Sequence, residues 1–295
     1  MTRAHALLLA AALLSACDRP PPATRGIPPA AEATVQRWLS GTDPGSAPTA
    51  PRPGMDRGFQ ALGAEVYRLR CIPCHGVNGN GKGLHAARLS VPARDFTSGV
   101  YEFRSTPSGT LPTDLDLFRT ISRGVHGTAM IPWSWLSEAE RWAVIEHVKS
   151  FSPRFREEGP GAPVALPPTP AETPELAAQG AIAWARNGCA KCHGDGGEGD
   201  GPSAPTLRRD GGEPLRPLPF SGGRFLRGKS LPELWLTLAT GLDGTPMPSY
   251  ASIPDEELWA LAAWVRDRAG LAGGARTLRP SPEEQLGWRI DIEDR

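Results

Sequence analysis

The sequence predicts an all-α chain made of two small helical domains in tandem. Apolar residues recur at helical spacing in several segments. No alternating apolar/polar run of useful strand length appears. Four blocks of the first half also return in the second, in one order and at nearly one offset. Cys71-Ile72-Pro73-Cys74-His75 matches Cys189-Ala190-Lys191-Cys192-His193 at 118 residues. Gly124-Val125-His126-Gly127-Thr128-Ala129-Met130 matches Gly241-Leu242-Asp243-Gly244-Thr245-Pro246-Met247 at 117. Trp142 and Val148 match Trp259 and Val265, and Gly63 and Tyr67 match Gly180 and Trp184. With two copies this is a duplicated domain rather than a solenoid.

Taken in order, residues 1–16 read as a signal peptide, with Arg3 before the apolar run Ala6 to Leu14, too short to span a bilayer as a helix. Residues 17–54 are rich in Pro, Ala, Gly and Thr and read as a flexible tether. Residues 55–153 form the first domain. Its first helix is expected over Phe59 to Leu69, from Phe59, Leu62, Val66 and Leu69. A middle helix is expected over Asp114 to Ile121. A last helix is expected from Ser137, with Glu140 completing a capping box. Residues 154–172 are a Pro/Gly-rich linker. Residues 173–270 repeat the pattern, with helices at about Pro174 to Arg186, Leu231 to Thr240 and Asp255 to Ala269. Residues 271–295 are a tail with no readable role.

Composition limits the function. Lys+Arg and Asp+Glu are each 32, so the net charge is zero and nucleic acid is not the expected partner. Hydrophobic residues make up 39% of 295 residues, a thin core for two domains of this size. Some other apolar body should fill it.

The five cysteines suggest what that body is. Cys71/Cys74 and Cys189/Cys192 form two C-x-x-C pairs, each followed at once by a histidine, His75 or His193. C-x-x-C-H is the attachment signature of c-type haem. Two thiols three positions apart on a turn reach the two vinyl groups of one porphyrin, and the next histidine lies beneath the iron. A disulfide, a thioredoxin-like dithiol and zinc are the alternatives. The dithiol lacks its βαβ context, and each pair here has its own histidine in its own repeat. Two covalent haem c groups are therefore expected.

The sixth ligands follow from the inventory. Of four methionines, Met1 belongs to the signal peptide and Met55 precedes the first helix. Met130 lies 55 residues after His75 and Met247 lies 54 after His193, both in the repeated Gly-Thr-x-Met loop. His193 is the only histidine of the second half. In the first half His126 and His85 remain competitors for Met130, and His147 reads as structural. A thioether stabilises ferrous iron better than a second imidazole, which raises the potential. Iron filled on both axial positions exchanges electrons and leaves no place for substrate.

On these residues both halves resemble class I cytochrome c domains, over about 55–153 and 173–270. The resemblance implies a crossing of first and last helices at Gly63, with Tyr67 and Trp142, and at Gly180, with Trp184 and Trp259. It also accounts for an aromatic residue three positions after each methionine, Trp133 and Tyr250. The stretch Pro92 to Phe96 has only a loose counterpart at Leu218-Pro219-Phe220, and Arg94 and Arg224 read as solvated surface arginines. Leu14-Ser15-Ala16-Cys17 resembles the bacterial lipobox, which implies lipidation at Cys17. Asp18 resembles an inner-membrane retention signal of enteric bacteria.

The expected function is a membrane-tethered dihaem carrier of single electrons, without catalytic residues. It would lie in the bacterial cell envelope with its haem domains in the periplasm, exchanging electrons with redox proteins. A dihaem peroxidase-like enzyme is the alternative, and needs an open iron and nearby acid/base groups. A haem-based sensor is disfavoured, since no output domain is attached.

Overall fold

The computed structural model describes residues 47–272. The leader, Cys17, most of the tether and the tail from residue 273 lie outside the described residues. Nine α-helices and no strands occur among them. The first domain contains α1 (Arg57–Arg70), α2 (Ile72–His75), α3 (Asp114–Arg123) and α4 (Glu138–Lys149). A single turn, α5 (Arg154–Glu157), begins the linker. The second domain repeats the order with α6 (Pro174–Arg186), α7 (Ala190–His193), α8 (Leu231–Thr240) and α9 (Asp255–Arg268).

Local chemistry starts and stops these helices. Asp56 caps α1, its carboxylate accepting from the Phe59 N–H at 2.7 Å. Ser137 and Glu140 form the expected capping box of α4, and Thr113/Asp116 and Ser230/Glu233 do the same for α3 and α8. Each such cap satisfies backbone donors that a helix start leaves orphaned. α3 and α8 end at Gly124 (φ 67°) and Gly241 (φ 66°). That region is costly for any residue with a Cβ, so the chain turns there into the methionine loops.

In each domain the first and last helices cross, α1 on α4 and α6 on α9. The crossing needs glycine. A Cβ on Gly63 would lie 2.1 Å from the Ala143 carbonyl oxygen, and one on Gly180 would lie 2.0 Å from that of Ala260. The aromatic partners differ from those the resemblance implies. Tyr67 packs on His147 at 4.9 Å and Trp184 on Trp264 at 4.3 Å. Trp142 instead packs on Phe118 of α3, and Trp259 on Trp235 of α8. Trp142 and Trp259 lie five residues before His147 and Trp264, about 140° round the helix, so they point to the middle helix rather than to the crossing. His147 is a packing residue, as its place on the last helix suggested.

Two stretches expected to be loose are fastened down. Thr49 and Ala50, at the end of the tether, donate to the Glu138 carboxylate, and Arg52 pairs with Asp114 and Glu146. These backbone and side-chain donors meet acids at the start of α3 and along α4, so composition alone misjudges residues 49–52 as flexible. The linker lies along the first domain: the Gly161 N–H donates to the Leu111 carbonyl at 3.1 Å, and that of Val164 to Ser105 at 2.7 Å. Val164 then packs on the core of the second domain.

The two domains meet through charge. Arg104 of the first is fully buried and donates to the Thr240 carbonyl (2.8 Å) and the Asp243 carboxylate (2.7 Å) of the second. Buried Glu102 pairs with Arg94 from its own domain and Arg209 from the other. Arg123 pairs with Glu233 across the same boundary. Arg94 is therefore an interface residue, and the reading of it as a solvated arginine fails.

Candidate functional site

The site is built twice. In each domain the C-x-x-C-H run forms one helical turn, α2 or α7, directly after the crossing helix. The turn brings the first cysteine and the histidine together: the His75 N–H donates to the Cys71 carbonyl at 2.8 Å, and that of His193 to Cys189 at 3.0 Å. The next residue is a glycine with φ 76° (Gly76) or 80° (Gly194). Its carbonyl is anchored from the crossing helix, by Tyr67 Oη at 2.9 Å in the first domain and Trp184 Nε1 at 3.2 Å in the second. None of these four cysteines is joined in a disulfide. Burial pushes the Cys71 thiol up to about 12 and Cys189 up to about 11, which keeps them from acting as reactive thiolates.

Both histidines are held neutral. Burial lowers the His75 pKa, and takes His193 down to about 4. A neutral imidazole is the metal-ligating form. His75 Nδ1 lies 3.0 Å from the Arg94 carbonyl oxygen. That acceptor requires Nδ1 to carry the proton, so Nε2 keeps the lone pair that a metal ligand needs. Phe96 stacks on His75 at 4.4 Å and Phe220 on His193 at 5.4 Å. These two phenylalanines are true counterparts, since the Phe96 N–H donates to Gly79 and that of Phe220 to Gly197. Sequence reading placed them only loosely, because extra residues in the second half shift the offset between motif and phenylalanine. The repeated Gly79/Gly197 was the signal that would have paired them.

The methionine loops are alike in detail. The Val125 N–H donates to the Met130 carbonyl at 2.8 Å, and that of Leu242 to Met247 at 3.0 Å. Thr128 Oγ1 donates to Val125 and accepts from the Met130 N–H. Thr245 does the same with Leu242 and Met247. The threonine of Gly-Thr-x-Met is thus the internal brace of the loop. Sequence reading used the motif without finding that role. Met247 and Tyr250 pack on the same core as Cys189 and Ala190, so the methionine side and the cysteine side of the second domain face one space. Tyr250 is raised by burial and then by the nearby Cys189 and Cys192. In the first domain Trp133 and Cys71 likewise share one cluster. His85 is exposed, and its backbone N–H braces the Gly-rich loop to Pro73 at 2.8 Å.

The residues present fit haem c. The indole donors of Trp135 and Trp235 are buried with no protein acceptor, although such groups are normally paired. They lie in the clusters that hold Cys71 and that hold Cys189 and Met247, so each domain carries an unsatisfied donor in the same cluster as its cysteine side. No group of three or more His, Cys, Asp or Glu side chains among the described residues is arranged to hold a bare metal ion, so the zinc alternative has no cluster.

A cytochrome c family model matches the chain twice, over residues 60–152 and 177–269. The chain belongs to the cytochrome c family. It is a haem electron-transfer protein, and its two cytochrome c domains agree with the tandem all-α organisation expected from the repeat. A solved chain of the Kuenenia stuttgartiensis reducing HAO-like protein complex Kustc0457/Kustc0458 is similar to this cytochrome, with 40% identity and a TM-score of 0.70. The match covers 74% of this chain and 99% of that one. No curated protein matches the chain significantly.

Proposed function

We propose that this cytochrome is a dihaem carrier, tethered to the membrane by lipid at Cys17, that passes single electrons between redox proteins in the bacterial periplasm. Cys71 and Cys74 would hold one haem by thioethers and Cys189 and Cys192 the other. His75 and Met130 would take the axial positions of the first iron, His193 and Met247 those of the second. The observation that carries this reading is the duplicated loop geometry around Met130 and Met247. Two loops of different sequence context make the same three hydrogen bonds, each presenting a thioether to a domain that also presents a cysteine pair and a neutral histidine. Bound haem supplies reversible one-electron chemistry. In the first domain the chain would orient His75 through its Nδ1 proton; in both, apolar packing would exclude water and a soft sulfur would lie opposite. The similarity to a chain of a reducing HAO-like protein complex supports work within a larger redox assembly.

The test is a spectroscopic redox titration of the purified protein. Two haems per chain are expected, both with the iron–thioether charge-transfer absorption in the ferric state. Met247→Ala should remove the share of that absorption due to the second domain and lower the potential of that haem. An unchanged spectrum and potential would show that another group ligates the iron. Multiple turnover of peroxide at enzymatic rates by the reduced protein would favour the peroxidase alternative instead.

A further inference from the structure

We infer that the first domain grips the Met247 loop of the second, and that Asp243 is the positioning residue through which it holds the thioether on the second iron. The inference rests on Met247 being the sixth ligand. The two methionine loops match closely in backbone geometry but not at their third residue, which is His126 in one and Asp243 in the other. Asp243 is turned into the first domain. One carboxylate oxygen accepts from Arg104 Nη2 and from Ser108 Oγ, both at 2.7 Å. The other accepts from the Gly109 backbone N–H at 2.8 Å. Arg104 is fully buried and also donates to Thr240, the last residue of α8 before the loop.

The gripping segment is itself braced. Arg154, on the linker turn α5, donates to the carbonyls of Gly99 and Gly109, both at 2.9 Å. Gly244, next to Asp243, packs against the first domain so closely that a Cβ there would lie 3.2 Å from Arg94 Nη1. The carbonyl of that same Arg94 orients His75. The Met247 loop is therefore fixed at the interface by charge-assisted hydrogen bonds, which are stronger than neutral ones.

For Met247 to leave iron, its loop must move. The Asp243 contacts hold the loop where it is packed now, so they favour the ligand-on state and not the ligand-off state. An added ligand such as cyanide binds ferric iron only after the methionine has left. Its apparent affinity scales with the fraction of chains whose loop is open. The first loop carries His126, not a carboxylate, in this place.

The full-length dihaem protein tests this by cyanide titration of the ferric form. The methyl signal of each axial methionine in the proton NMR spectrum serves as the site-specific reporter, assigned with Met130→Ala and Met247→Ala. Asp243→Ala should raise the apparent cyanide affinity of the second haem about tenfold, the scale of losing hydrogen bonds to a charged group, with the first haem unchanged. Ser108→Ala removes one exposed donor without uncovering the buried arginine, and should shift the same quantity in the same direction by less. Asp243→Asn, which keeps acceptor oxygen for part of the grip, should fall between wild type and alanine. Equal cyanide affinity at the second haem in wild type, Asp243→Ala and Ser108→Ala would overturn the inference. So would equal rises at both haems, which would indicate a general loss of rigidity. If Met247→Ala leaves both methionine signals in place, the ligand assignment itself is wrong and the inference falls with it, an outcome distinct from either of the others.

Discussion

Thr128 and Thr245 show how much of this cytochrome depends on single side chains. Each hydroxyl donates to the carbonyl three residues back and accepts from the N–H of the methionine it serves. Valine has nearly the same shape and neither hydrogen-bonding function. Thr245→Val should therefore lower the stability of the second domain by about 1 kcal/mol and loosen Met247, while Thr245→Ser should behave nearly as wild type. Thermal unfolding of the haem-loaded protein, followed at the charge-transfer absorption, measures both effects. Unaltered unfolding and ligation in the valine variant would mean that the brace is incidental. Tyr67 and Trp184 illustrate a second residue-scale rule. Different donors on the crossing helix reach the same glycine carbonyl after the histidine, so the site conserves a hydrogen bond between its two halves without conserving the residue that makes it.

At the level of elements, the helix crossings decide the geometry. α1 and α4, like α6 and α9, approach so closely that backbone oxygen occupies the space a side chain would need at Gly63 and Gly180. Because the obstructing atoms are backbone and cannot rotate away, Gly63→Ala and Gly180→Ala must push the helices apart. Overpacking of this kind costs about 1–3 kcal/mol, and occasionally more. The urea midpoint of each variant reads the cost, and an alanine variant as stable as wild type would show that the crossing is looser than described. The α2 and α7 turns hang directly from these crossings, so the same substitutions should also shift the visible spectrum of the haem in the affected domain.

Across the whole molecule, the two domains are joined by ion pairs and by a linker laid along the first. Burial raises the Glu233 carboxyl, but Ser230 and Arg123 outweigh it and hold Glu233 below the ordinary carboxylate value of 4.5. A carboxyl depressed in the folded state binds its proton later than in the unfolded chain. Its stabilising contribution is thus complete above about pH 4.5 and is lost as pH falls through the folded value. The stability gap between wild type and Glu233→Gln should accordingly be widest near neutral pH and shrink on acidification, as read from urea midpoints across that range. A gap independent of pH would rule out the ionised pair as its source. A separate prediction concerns attachment: Cys17→Ser should move the cytochrome from the membrane fraction to the soluble fraction of the cell envelope. Retention in the membrane would sink the lipid anchor.

The amino-acid string determined the local and the repeated features. Helix spans, the Ser137/Glu140 capping box, the two C-x-x-C-H turns and the two methionine loops were legible, because each depends on neighbours within a few residues or on a copy a fixed distance away. Even the glycines at the crossings were implied, by the resemblance to class I cytochrome c domains. What folding in three dimensions settled was which distant side chains meet. His147 and Trp264, not Trp142 and Trp259, face the crossing aromatics. Arg94 and Arg104 face the partner domain, and residues 49–52 lie against the first. Those choices arise from the rotation of one helix against another and from the seating of one domain on the next. Periodicity within a segment carries no information about either, since a charged side chain reads the same whether water or a buried partner awaits it.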